Sequence, residues 1–489
     1  MTGQRILIWY RNDLRLHDHE PLHQALKQQA QVIPFYCFDP RQFGYGSFGY
    51  PKTGSFRAKF IIESVADLKQ SLQNLGSDLV IRKGLPEYII PELVKAFDID
   101  AVYYHREVTS EEITPEKALE EKGVKLRSFW GATLYHIEDL PFTLEQLPEL
   151  FTNFRKRVEK DWRIRSTYPT PPILPPLPEI EAGEVPSFPD LLLEAPEISP
   201  LAIIKFPGGE TAGRSRLKHY FWDKSHLKSY KETRNGMLGE DYSSKFSAWL
   251  SLGCLSPRYI YEQVRKYEKE VIENDSTYWL IFELLWRDYF RFIAAKHGNK
   301  IFNYPGLQGL HIDFKEDHDR FEIWQAGETG YPLVDANMKE LLGTGFMSNR
   351  GRQNVASFLT KNLGISWLMG AEWFESMLID YDVCSNYGNW LYTAGVGNDA
   401  RGFRYFNIPK QSRDYDPKGE YLRHWLPQLK FIPGDKIHEP WKLSPAEQKL
   451  YGVTIGVDYP RPIVDFFKSV KANEMIYNQA LVNQKNLKL

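Results

Sequence analysis

Proline placement constrains this chain more than any other feature. Eleven of its 31 prolines fall in the 44 residues 166–209, including the pairs Pro171-Pro172 and Pro175-Pro176. Proline fixes φ and lacks an amide hydrogen, so neither a regular helix nor a central strand can run through this stretch. It predicts an extended, semi-stiff connector lying on the surface. The 489 residues then divide into an N-terminal part (1–135), a linker (136–205) and a C-terminal part (206–489).

The two ends have different periodicities. Short apolar runs at 5–10, 32–38, 78–83, 101–106 and 124–130 are rich in Val, Ile, Tyr and Phe, as buried parallel strands are. Between them, Ile61, Val65, Leu68, Leu72 and Leu75 recur at steps of three and four, which is one face of an amphipathic helix. Residues 20–29, 86–97 and 114–122 also read as helices, with Pro86 and Pro115 near their first turns, where proline is accepted. Strands alternating with helices predict a doubly wound parallel α/β sheet. From Arg214 onward only helical periodicity remains, over 257–273, 277–297, 330–342, 353–363 and 370–378. The C-terminal part is expected to be all-α.

Composition narrows the function classes. With 42% hydrophobic and 25% charged residues, the chain is an ordinary globular protein. Its apolar runs fall well short of the ~20 residues of a membrane helix. No signal or transit peptide is expected. Three widely spaced cysteines, Cys37, Cys254 and Cys384, make neither a disulfide framework nor a zinc site, so a reducing cytoplasm and no metal are expected. A net charge of −2 requires any nucleic-acid affinity to come from local patches. Two exist: 214–234 has seven Lys/Arg against two acids, and 401–423 six against three. The second mixes Arg401, Arg404, Lys410 and Arg413 with aromatic rings, as single-strand binders do. The run Gly44-Tyr-Gly-Ser-Phe-Gly49 matches G-x-G-x-x-G literally, but five residues separate it from the helix starting at Ser55. A dinucleotide turn opens directly into its helix, so this run reads as a surface loop.

Four constellations in the C-terminal part carry chemistry. Tyr242-Ser-Ser-Lys-Phe-Ser247 offers hydroxyls, a cation and backbone amides before a helix, a plausible phosphate cradle. Trp279, Glu283, Trp286 and Phe290 share one helical stripe, placing a carboxylate among rings. Asn349-Arg-Gly-Arg-Gln353 and Asp380-Tyr-Asp382 suggest a polar pocket in an apolar domain. Asn386-Tyr-Gly-Asn-Trp-Leu-Tyr392, with Trp367 and Trp373 upstream, suits close approach to a flat ligand.

These residues resemble a known family. The runs 329–338, 345–353 and 380–390, with Glu283-Leu-Leu-Trp-Arg-Asp288, Leu255-Ser-Pro257 and the opening Trp9-Tyr-Arg-Asn-Asp-Leu-Arg-Leu16, are similar to the photolyases and cryptochromes. Within that family, 349–353, 386–392 and Phe151-Thr-Asn-Phe-Arg-Lys156 resemble the DASH cryptochromes. The resemblance implies a U-shaped FAD in the helical part. Tyr230, Ser243, Ser244, Lys245, Phe246 and Ser247 would hold its phosphates, and Glu283, Arg287, Asn349, Arg352, Asp380 and Asp382 would line flavin and adenine. Arg352 and Asp380 would pair beside the ring system, and Asn386 would face flavin N5, where its amide can donate or accept. Light-driven splitting of cyclobutane pyrimidine dimers is implied, with the dimer flipped out between Trp286 and Tyr392 and hydrogen-bonded by protonated Glu283. Tyr392 stands where duplex-active photolyases usually carry Trp, and Gln353 where they carry Met, which points to single-stranded DNA over duplex. A blue-light receptor that binds DNA and regulates (represses) transcription without repair remains the alternative. Trp390 and Trp367 match the inner electron-relay positions, and Phe314 occupies the outer one. Glu107 and 151–156 match a folate antenna site for 5,10-methenyltetrahydrofolate. A monomer is expected.

Overall fold

The computed structural model describes residues 4–399 and 402–486. Five parallel strands, β1 (Arg5–Tyr10), β2 (Gln31–Phe38), β3 (Val80–Lys83), β4 (Ala101–His105) and β5 (Leu126–Phe129), form one sheet of order β3-β2-β1-β4-β5. The order reverses at β1, as in doubly wound folds. Ile6 to Tyr10 are all buried, which explains why β1 has no polar alternation. Helices α1 (Glu20–Lys27), α2 (Ser55–Asn74), α3 (Pro86–Ala96) and α4 (Ser110–Glu121) connect the strands. In α2, Ile61, Val65, Leu68 and Leu72 are buried as their spacing predicts, and Leu75 caps the helix. Pro115 differs from expectation. The helix begins at Ser110, so the proline lies inside it. One missing amide leaves one carbonyl of the opening turn without its intrahelical donor, which water can replace near a helix start.

Most of 159–209 has no regular structure, as the prolines require, apart from a short turn at Pro189–Leu191. Within the expected linker, however, lies a regular helix, α5 (Phe151–Val158). The extended segment runs along the outer sheet edge: Ile81 N donates to Ala182 O at 2.6 Å, and Leu174 N to Leu75 O at 2.8 Å. Covering an edge strand in this way blocks its unpaired amides from other chains.

Helices dominate from Glu210 onward. The opening motif joins them to the sheet. Arg15, 1% exposed, donates to the carbonyls of His17, Asp18, Gly131 and Gly253 at 2.8–3.3 Å. Arg258 grips Asp18 at 2.6 Å, and Glu210 meets His17 at 2.7 Å. A buried charge is tolerable only when so fully partnered. The 44–49 run belongs to this junction as well. Ser47 N and Phe48 N both donate to the carboxylate of Glu372, the latter at 2.7 Å. A Cβ on Gly46 would lie 2.4 Å from that carboxylate. The glycine therefore serves close approach of a protein side chain. No described helix is long and apolar enough to cross a membrane.

Candidate functional site

Four segments distant in sequence converge on a cavity of about 620 Å³. The first is the loop 242–247. Lys245 adopts φ +57°, a left-handed residue that makes a sharp, anion-binding type of turn. Buried Arg216 pins the loop by donating to Ser243 O and Ser244 O, both at 3.1 Å. Ser243, Ser244, Lys245, Phe246 and Ser247 all line the cavity, as does Tyr230. The Lys245 ammonium lies 3.4 Å from the centroid of the Tyr242 ring and has no ion-pair partner among the described residues. Burial pulls its pKa down to about 7.

The second is the helix Asp275–His297, started by a capping box at Asn274 and Thr277. It presents Trp279, Glu283, Trp286, Arg287 and Phe290 to the cavity. Burial raises the Glu283 pKa, while Arg234 opposes the rise. Arg234 and Glu283 form an ion pair in the cavity wall. The Glu283 carboxyl that would meet a substrate is thus ion-paired with Arg234 in this structure. The pairing spans 49 positions; only the basic density of 214–234 hinted at it. Trp286 is stacked on Phe151 of α5, with centroids 3.6 Å apart and planes at 12°. Tyr392 meets it edge-on at 6.0 Å.

The third segment is the helix Asn349–Ser357, capped by Ser348, which accepts from Gly351 N at 3.0 Å. Its Arg352 donates to both oxygens of Asp380 at 2.8 and 2.9 Å and to Met347 O at 2.9 Å. Asn349 and Gln353 also line the cavity. The Gln353 Oε1 is buried and has no partner among the described residues. The fourth is the helix Val383–Ala394, whose N-cap Asp382 accepts from Ser385 N at 2.8 Å and faces Arg287 at 3.4 Å. Burial would raise Asp382, but Arg287 and Arg291 hold it below the usual carboxylate range. Asn386, on the same helix, is buried outside the cavity lining. Its amide donates to Ala371 O at 3.0 Å, which fixes its nitrogen against the helix Trp367–Met377.

A buried ammonium with no ion-pair partner among the described residues and a left-handed turn, both lining one cavity, suit a dinucleotide with anionic phosphates. Comparison with known proteins agrees. Residues 279–479 match the family model "FAD binding domain of DNA photolyase", and 6–179 match "DNA photolyase". A cryptochrome DASH of Gloeobacter violaceus is 65% identical over 484 residues, covering 98% of this chain and 97% of the relative. One of Synechocystis is 58% identical, covering 98% of each. The chain belongs to the photolyase–cryptochrome family, in its cryptochrome DASH group. The crystal structure of the Synechocystis cryptochrome superposes with a TM-score of 0.95 at 57% identity, over 97% of this chain and 99% of that one. A class III photolyase of Agrobacterium tumefaciens gives 0.85 at 28% identity, covering 98% of each.

The remaining family positions are spread more widely. Trp390 is buried against Gly370, where a Cβ would come within 2.2 Å of its ring, and it contacts Phe374 at 5.1 Å. Trp367, fully buried, lies 6.3 Å from the Tyr387 ring. The outer position, Phe314, packs edge-on against Tyr304 at 5.9 Å. Glu107 is buried and paired with Arg291 at 2.5 Å. A second concavity of about 510 Å³ is lined by Glu149, Asn153, Lys156, Arg157 and Lys160, but not by Glu107. Lys156 of the expected antenna segment thus lines this concavity, and Glu107 is held in its ion pair with Arg291. Arg404 reaches the flavin-type cavity and pairs with Asp399 at 3.3 Å. Lys410 pairs with Asp414, and Arg413 with Glu439 at 2.7 Å, on the exposed face of the helix Ile408–Tyr415. Arg401 lies outside the described residues. Sequence reasoning missed Arg234, Phe346, Met347 and Phe406, all in the cavity wall; none belongs to a spaced pattern of its own.

Proposed function

We propose that this chain is a blue-light-driven FAD protein that repairs cyclobutane pyrimidine dimers in single-stranded DNA and acts little or not at all on duplex DNA. When bound, reduced FAD would supply, on excitation, the electron that splits the dimer and takes it back afterwards. The chain's part is to hold and orient. Lys245 and the 243–247 turn would take the diphosphate. The Arg352–Asp380 and Arg287–Asp382 pairs would fix charge beside the ring system.

The observation that carries the single-strand reading is the composition of the cavity mouth. One face of Trp286 is already covered by Phe151, and Tyr392 and the polar side chain of Gln353 line the same cavity. Stacking is worth about 1–3 kcal/mol per base, comparable to the few kcal/mol that flipping from a duplex costs. A clamp with a smaller ring and a polar wall supplies too little for the duplex and enough for a single strand. Dimer-containing oligonucleotides under blue light test this directly. Repair confined to single strands is expected, and equal rates on both substrates refute it.

The second reading, a receptor that binds DNA and regulates transcription without repair, is favoured by the Arg234–Glu283 pair, which occupies the carboxyl a substrate would need. Absence of repair on either substrate would select it. Trp390 and Trp367 are the inner relay donors in our reading, with Tyr387 the ring in contact with Trp367 that can follow them in place of Phe314. The concavity around Lys156 is where 5,10-methenyltetrahydrofolate would sit. A cytoplasmic monomer completes the proposal.

A further inference from the structure

A second cluster lies just before the cradle loop. His219 opens the turn His219–Asp223, and His226 opens the turn His226–Ser229. Asp241 sits two positions before Ser243. Both imidazoles converge on one carboxylate oxygen: His219 Nε2 is 3.1 Å and His226 Nε2 3.2 Å from Asp241 Oδ2. Glu240 places a further oxygen within 4.8 Å of the His219 and Asp241 ligand atoms. The four residues lie 7, 14 and 1 positions apart along the chain, a spacing no metal motif would flag.

The carboxylate is held in place from behind. Arg216 donates to Asp241 Oδ1 at 2.7 Å and to the carbonyls of Glu240, Ser243 and Ser244 at 3.1–3.2 Å. This fixes the plane of the carboxyl group and leaves Oδ2 directed at the two rings. Metal sites commonly fix a ligating carboxylate in this way, with a hydrogen-bond donor behind it. The cluster is also reachable: its side chains are between a fifth and a half exposed, so an ion can enter with water attached.

We infer that His219, His226 and Asp241, with Glu240 or water in the fourth place, form a binding site for a divalent transition ion of the zinc class. The distances fit. With metal–nitrogen and metal–oxygen bonds of about 2.0–2.1 Å, tetrahedral ligand atoms stand about 3.3–3.4 Å apart. Both histidine nitrogens stand 3.1–3.2 Å from Asp241 Oδ2, within a few tenths of an ångström of that spacing, and closure of the two rings onto an ion would complete the set. Two imidazoles with one or two carboxylates select borderline ions such as Zn²⁺ over Mg²⁺ or Ca²⁺, which take oxygen shells. With the proton on Nδ1, each ring presents a bare Nε2 to the ion. An ion here would tie the 219–226 turns to the loop that lines the cavity.

The test uses the FAD-loaded protein, stripped with a chelator and titrated with Zn²⁺ against a chromophoric competitor, with thermal melting in parallel. One site is expected, with a rise in melting temperature that saturates at one equivalent. His219→Ala and His226→Ala should each weaken binding at least tenfold while flavin content stays at the wild-type level. His311→Ala, at an exposed position elsewhere, should change nothing. Asp241→Asn separates the alternatives, because an amide oxygen still accepts from both rings but is a poor metal ligand. Loss of zinc-dependent stabilisation in that variant supports the site. Unchanged affinity in the two histidine variants, or no stoichiometric binding by the wild type, overturns it and leaves an ordinary hydrogen-bonded network.

Discussion

Raising the pH from about 6 to about 8.5 should loosen FAD binding roughly thirtyfold, and Lys245 should account for the change. In the ligand-free fold, burial holds this amine at a pKa of about 7. A bound diphosphate would restore it toward the ordinary lysine value of about 10.4. At about pH 6 the amine is charged with or without ligand, so binding takes up almost no proton. At about pH 8.5 only ~3% is charged before binding, so nearly one proton must be taken up per FAD. That proton costs about 2 kcal/mol, using 1.36 kcal/mol per pKa unit. Calorimetry of FAD binding to the apoprotein in two buffers of different ionisation enthalpy counts the proton directly. Lys245→Met should bind more weakly at low pH and lose most of the slope. Absence of proton uptake at about pH 8.5, or the same slope in the Met variant, refutes the assignment of Lys245 to the phosphates. The sign for the ligand-free fold is opposite. Its depressed lysine makes the unfolded chain bind more protons between about pH 7 and 10, so stability from this group rises with pH there.

Other perturbations probe other parts of the account. Trp390→Phe should abolish blue-light bleaching of the flavin band under anaerobic conditions with an external reductant, and normal bleaching would remove Trp390 from the relay. Tyr387→Phe should slow the same reaction while leaving FAD binding unchanged. The double change Tyr392→Trp with Gln353→Met should raise repair of duplex substrate by one to two orders of magnitude, since about 1–3 kcal/mol of stacking is restored; no gain would show that the mouth does not set strand preference. Glu372→Ala strips the acceptor from Ser47 N and Phe48 N and should cost about 2–4 kcal/mol in denaturant unfolding, at roughly 1.5–3 kcal/mol per charge-assisted bond less the water regained. Glu372→Gln should cost distinctly less.

Much of the fold is legible in the chain because its signals are local. β1 is a continuous apolar run because both faces are covered, and α2 shows its buried stripe every third or fourth residue. The prolines of 166–209 exclude regular structure by their own chemistry. What local pattern cannot carry is partnership across long separations. Arg234 meets Glu283 and Glu372 meets Ser47 only after the chain has folded. The helix Phe151–Val158 is short and its apolar residues Phe151, Phe154 and Val158 are few, so its stripe is too brief to stand out. The site is legible for a different reason. The cradle serines, Glu283, Arg352, Asp380 and Asp382 stand in dense runs of unlike chemistry, and the cavity gathers them. Asn386 shows the limit: residue type and helix register place it near the site, but its neighbour Ala371 decides where the amide nitrogen points.

The most direct measurement is the absorption spectrum of the purified protein followed through FAD removal and return. Chain-bound flavin near one equivalent, lost on mild denaturation and restored to apoprotein by added FAD, is the predicted result. A colourless protein that takes up no FAD, with its helical content intact, would contradict the account at its root.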